Sequence, residues 1–202
     1  MKTCVRMAVG VWLAAGLLAL GDEKGLYLHA PFDGSLEALQ AGSRTAPTNV
    51  PAVSYEPGPV GQSVVIGEEP LRFREADDFP LRQGTVAFWV KPHGDPGKNH
   101  WLVRKMVKWD HSPVDGLWFL LGSRRLRVGL SDSARKGVTL SWFFQDESGG
   151  TEWPSNTWKH LAVAWGPEGT RLHINGCLVD ASDINSPPAR HAGSLFLSGI
   201  SA

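Results

Sequence analysis

The stretch WKHLAVAWGPEGTRLHINGCLVD, residues 158–180, leaves this chain little choice of architecture. Leu161, Val163 and Trp165 fall on one parity of an alternating run, the spacing of a strand buried on one face. Asn175-Gly176 tolerates the two positive φ angles of a type I′ turn and is a strong hairpin signal. Gly166-Pro167-Glu168-Gly169 makes a second tight turn. Residues 158–180 therefore read as a three-stranded antiparallel meander, with Leu172 and Ile174 set to pack beside the Leu161 face.

The same texture runs through the rest of the chain. Short alternating runs recur roughly every ten residues between Gly, Pro, Asn and Asp, as in a β-sandwich. Strands are expected at 25–32, 62–67, 71–75, 101–109, 116–122, 124–130, 138–144 and 194–199, and almost no helix. The one ambiguous segment is SLEALQAG (35–42), a helical turn or a loop. GTVAFWVKP (84–92) carries Val86, Phe88 and Val90 on one parity and Ala87 and Trp89 on the other, then ends at a proline. That is a strand covered on both faces. At 202 residues and 42% apolar, the chain suits one such domain. Residues 181–193 read as a surface loop.

The N-terminus differs. Lys2 and Arg6 flank the start of MAVGVWLAAGLLAL (7–20), and Ala19-Leu20-Gly21 places small residues at the −3 and −1 positions of a cut. This is the layout of a secretory signal peptide over residues 1–21, cleaved before Asp22, on a run too short to span a bilayer comfortably. An uncleaved anchor is the alternative reading. The expectation is a secreted, periplasmic or cell-surface domain at 22–202, with no membrane span once the leader is removed. The chain has 20 basic and 20 acidic groups, and the leader takes only basic ones. A near-neutral, slightly acidic remainder argues against a nucleic-acid partner. Cys177 is left as the single cysteine, so no internal disulfide forms and the core must hold the fold.

Five pieces run in a telling order: GLYLHAPFDGS, GPVGQSVVIG, GTVAFWVKP, WKHLAVAWGPEGTRLHINGCLV and SLFLSG. Together they resemble the LamG-like jelly-roll domain of the concanavalin A-like lectin and glucanase superfamily. The resemblance implies an all-β sandwich of two curved antiparallel sheets. It also implies extracellular recognition of carbohydrate or protein, often as one module of a longer protein, with structural calcium in some members. The family's last strand, which carries an acidic pair and lies beside the first strand, has no counterpart here. The expectation is a jelly roll lacking that strand, truncated at its C-terminus.

The glucanases of this fold need two carboxylates at alternate positions of one strand, an acid and a nucleophile about 5 Å apart. No strand-like run supplies them: Asp77-Asp78 lacks the following acid, and Asp146-Glu147 sits in a loop. There is no nucleophile elbow, no glycine-rich phosphate loop and no zinc spacing among the seven histidines. Calcium wants six to eight oxygens. Asp33 after the first strand, with Asp180 and Asp183 after the hairpin, are its candidate ligands. For carbohydrate, the candidates are Trp109, Asp110 and His111 in KWDHSPVDG and Trp153 in GTEWPSNTW, on loops at a sandwich rim. Trp118, Trp142, Trp158 and Trp165 are expected in the core, and Arg125 and Arg127 on a solvated strand face. The functional expectation is a non-catalytic recognition module for carbohydrate or a cell-surface or extracellular protein. The alternatives are a structural or protein-interaction module of a longer multidomain protein and, third, a glycoside hydrolase.

Overall fold

A computed structural model describes residues 7–12, 27–40, 43–67, 69–74, 82–93, 99–106, 116–122, 124–131, 137–144, 153–185 and 194–197. Every regular element among them is a strand. In chain order these are β1 (Met7–Trp12), β2 (Leu28–Ala30), β3 (Ala38–Gln40), β4 (Ser43–Thr45), β5 (Ser54–Pro57), β6 (Gln62–Ile66), β7 (Leu71–Arg74) and β8 (Gly84–Pro92). They continue as β9 (His100–Met106), β10 (Gly116–Gly122), β11 (Arg125–Ser131), β12 (Gly137–Phe143), β13 (Lys159–Gly166), β14 (Gly169–Ile174), β15 (Cys177–Ser182) and β16 (Ser194–Leu197).

The described strands form two antiparallel sheets. The larger runs β15-β14-β13-β8-β1-β2-β3-β4, with β5-β6 joined to it through β6 and β1. The smaller runs β12-β11-β10-β9-β16-β7. The meander lies as the sequence predicts: Leu161 faces Ile174 and Val163 faces Leu172 in register, and all four are buried. Asn175 and Gly176 take φ of 50° and 80°, the turn their types favour. Asn175 does more than turn the chain. Its Oδ1 accepts from the His160 amide (2.9 Å) and its own amide donates to the His160 carbonyl (2.8 Å), locking the hairpin to β13.

The two sheets face each other across one apolar core. From β8, Val86, Phe88 and Val90 point inward, and Phe88 meets Phe119 of β10 edge-on at 5.0 Å. Such an edge-to-face pair adds to the area it buries. The other face of β8 is covered as well: Trp89 leans on His160 at 5.1 Å and Lys91 pairs with Glu56 of β5. Both edges of the smaller sheet are sealed. Asp180 of β15 accepts the Ser141 amide of β12 at 2.7 Å. Along β7, Asn49 accepts the Arg72 amide (2.8 Å) and donates to the Pro70 carbonyl (2.8 Å), and the Thr48 amide donates to the Arg72 carbonyl (2.7 Å). An edge engaged this way is blunted as a template for aggregation.

Two findings add to the sequence reading. Residues 35–42, ambiguous between helical turn and loop, contribute β3, which pairs with β2 and β4. The apolar run read as a leader contains β1, a strand inside the larger sheet.

Candidate ligand-binding face

Antiparallel register across the smaller sheet brings one row of side chains onto its outer face. Arg72 of β7 lies opposite Phe196 of β16, Phe196 opposite Arg104 of β9, Arg104 opposite Trp118 of β10, and Trp118 opposite Gly129 of β11. The row is stacked. The guanidinium of Arg72 sits 5.5 Å from the Phe196 ring centre, and that of Arg104 lies 5.9 Å from Phe196 and 5.1 Å from Trp101. Trp101 meets Trp118 edge-on at 6.0 Å. A register shift between Phe119 and Leu120 is the local irregularity at which Trp101 comes round to Trp118. Gly129 is required here, because a Cβ at that position would run into the Trp118 indole.

The row continues into Arg127, opposite Leu120 and Ser141. Its Nε is buried and has no hydrogen-bond partner among the described residues. Nearby, Arg125 stacks over Phe143 at 5.5 Å, and Phe143 is 64% exposed. The strands of this sheet carry Arg72, Arg74, Arg104, Lys105, Arg125 and Arg127, and no Asp or Glu. Burial lowers the Arg104 pKa, and burial followed by the repulsion of Arg125 lowers that of Arg127. Both effects record cations held partly out of water. The exposed guanidinium of Arg72, flattened on Phe196, presents forked donors of the kind that suit carboxylate or sulfate, while Arg104 is buried between Phe196 and Trp101.

The larger sheet's outer face carries a second cluster, of a different kind. Glu56 pairs with Lys91 and lies 3.2 Å from His93 Nε2, and the Lys91 ammonium sits 5.1 Å from the Trp158 ring. Its charges are spent on one another, so it ties β5 to β8 across β6 and β1.

Trp109, Asp110 and His111 lie outside the described residues. Trp153 is fully buried, its Nε1 donating to the Thr157 carbonyl (2.8 Å) and its ring packed on Phe144 and Trp142. A ring with no exposed face offers a ligand nothing, so Trp153 belongs to the core and not to a binding rim. Trp118, expected in the core, stands on the outer face, and Arg125 and Arg127 are half-buried in stacked or crowded positions.

The aspartates proposed for calcium are engaged by protein donors. Asp33 accepts the Gln62 amide (2.9 Å), and Asp180 accepts the Ser141 and Ala181 amides (2.7 and 2.8 Å). Asp183 lies 3.6 Å from Arg171. Among the described residues, no three His, Cys, Asp or Glu side chains gather where they could hold a metal ion. Among the described residues these three carboxylates do not come together, whereas a calcium takes six or more oxygens.

The family described as the concanavalin A-like lectin/glucanases superfamily matches residues 67–202, well over half of the chain. The chain belongs to this superfamily. Solved structures similar to this concanavalin A-like domain include the binding domain of botulinum neurotoxin serotype G. That match has TM-score 0.59 and 14% identity over 81% of this chain and 41% of that one. The serotype D ligand-binding domain, solved in complex with N-acetylneuraminic acid, matches with TM-score 0.53 and 13% identity over 80% and 41%. The binding domain of Paraclostridial Mosquitocidal Protein 1 matches with TM-score 0.52 and 17% identity over 82% and 42%. These likenesses are of fold. The concanavalin A-like domain spans about two fifths of the length of each of these neighbours. No curated protein matches it by sequence. Among the described residues, no helix is long and apolar enough to cross a membrane.

Proposed function

We propose that this domain is an exported, non-catalytic recognition module that binds carbohydrate, acidic sugars before neutral ones, on the outer face of the smaller sheet. The observation that carries the reading is the stacked row Arg72–Phe196–Arg104–Trp101–Trp118 on a sheet whose strands hold no carboxylate. Ring faces take the apolar side of a pyranose. The exposed Arg72 guanidinium takes its charged and hydroxyl oxygens. The superfamily match and a structural neighbour solved with a sialic acid agree with such a ligand. No described strand carries more than one carboxylate, so the alternating acid pair of a retaining glycosidase has no place on them. A protein-interaction module within a longer chain is the second reading, favoured by the exposed Phe143 under Arg125.

A glycan array with the purified protein, with calcium and then with chelator, tests this. Binding to carboxylated or sulfated glycans should survive chelator. Arg72→Glu, on an exposed position, should weaken it about tenfold or more, ~1.4 kcal/mol. A folded protein that binds no glycan, or an Arg72→Glu variant that binds as well as the parent, removes this face from consideration.

A further inference from the structure

We propose that Arg125 and Arg127 form a second anion site on the outer face of the smaller sheet, and that the ligand is an acidic oligosaccharide long enough to bridge from it to Arg72, not a single acidic sugar. This rests on the carbohydrate reading of the face and adds the length of the ligand and the spacing of its charges. The two arginines hold alternate positions of β11, about 7 Å apart along the strand, while Leu126 and Val128 between and beside them are buried in the core. Arg125 is held over Phe143, its cross-strand partner on β12. Arg127 has Ser141 of β12 on one side and Leu120 of β10 on the other, so a hydroxyl stands on the same face. Among the described residues no carboxylate pairs with either guanidinium; the ion pairs there take in Glu37, Glu56 and Asp183. Like charges on one strand face repel, and Arg125 acts on Arg127 in this way, after the larger effect of burial. An anion laid across both relieves the repulsion and receives two forked donors.

The place of this pair sets the length. Strand order puts β10, β9 and β16 between β11 and β7. At about 4.8 Å per strand spacing, roughly 20 Å separates Arg127 from Arg72. Arg74, exposed at the alternate position of β7, gives that end a second cation as well. The ground between the ends is aromatic: Phe196, Trp101 and Trp118 stand there half-buried. Arg104 is buried between Phe196 and Trp101 and does not extend either end. The face therefore runs cation, rings, cation. One pyranose cannot span it. A chain of sugars with acidic groups on non-adjacent rings can lay its rings on Trp101 and Trp118 and an acid at each end. A short ligand engages one end alone, whereas a long one joins both and gains affinity through effective concentration.

The test is a length series. Heparin-derived oligosaccharides from disaccharide to octasaccharide, which carry both carboxylate and sulfate, are titrated into the protein at fixed salt and pH. Affinity should rise about tenfold or more from the shortest to the longest. The double variant Arg125→Gln/Arg127→Gln, its fold checked by circular dichroism, should lose that rise. So should Arg72→Glu, which removes the other end. Should the double variant not fold, arginine side-chain NMR of the parent decides: the octasaccharide should shift the Nε–Hε signals of Arg125, Arg127 and Arg72 together. Equal affinity for disaccharide and octasaccharide overturns the bridge and leaves the Arg72 face standing. A folded double variant that keeps the full rise, or Arg125 and Arg127 signals that stay put while Arg72 moves, overturns the second site in the same way. No binding at any length, or an Arg72→Glu variant that binds every length as the parent does, is the separate failure of the carbohydrate reading, and this proposal falls with it.

Discussion

Trp153 and Trp101 put the same side chain to opposite uses. Trp153 is sealed among Trp142 and Phe144, with its indole N–H satisfied by the Thr157 carbonyl. Trp153→Ala should cost about 3–5 kcal/mol in urea unfolding and leave ligand affinity unchanged in the protein that remains folded. Trp101→Ala should do the reverse, sparing most stability and abolishing glycan binding in the array. His160 offers a test by pH. Burial holds its imidazole below the ordinary histidine range, so the neutral ring is favoured in the folded chain. As pH falls through about 6.5 the unfolded chain takes the proton first, and stability declines. Unfolding free energies at pH 7.5 and 5.5 should differ less in His160→Gln than in the parent. An equal difference in both would mean that His160 does not contribute.

At the scale of elements, what the sequence disclosed follows its periodicity. β13, β14 and β15 were legible because alternation and an Asn-Gly turn agree. β3 was ambiguous because Leu36 and Leu39 stand three apart, a spacing that also suits one helical turn. β5 went unread because Ser54–Pro57 is polar, short and ends in proline, as an edge strand can be. β1 was hidden in a uniformly apolar run with no period of two. The stacked row could not be read at all. Arg72, Arg104 and Phe196 become neighbours only because β16 inserts between β7 and β9, and no local pattern announces that crossover. One contact between the sheets can be measured directly. Asp180→Ala removes the acceptor of the Ser141 and Ala181 amides. It should cost about 1–3 kcal/mol and speed amide exchange at Ser141. An unchanged Ser141 rate would mean that the edge is held by packing alone.

For the whole molecule, the decisive property is where charge lies. The chain as a whole is neutral, yet the smaller sheet's strands carry only basic groups. Glycan affinity should therefore fall steeply between low salt and 0.5 M salt although net charge is near zero, measured by titration at fixed pH. A salt-independent affinity would point to the rings alone. The stacking of Arg72 and Arg104 on their rings has one more consequence. A free arginine gives up ~2 kcal/mol of rotamer freedom when a ligand fixes it. These two have already surrendered part of that freedom on folding, as the rings hold them before any ligand arrives. The entropy of immobilisation is thereby charged to the fold and not to the encounter, so association should show a small conformational penalty and little slow rearrangement after contact.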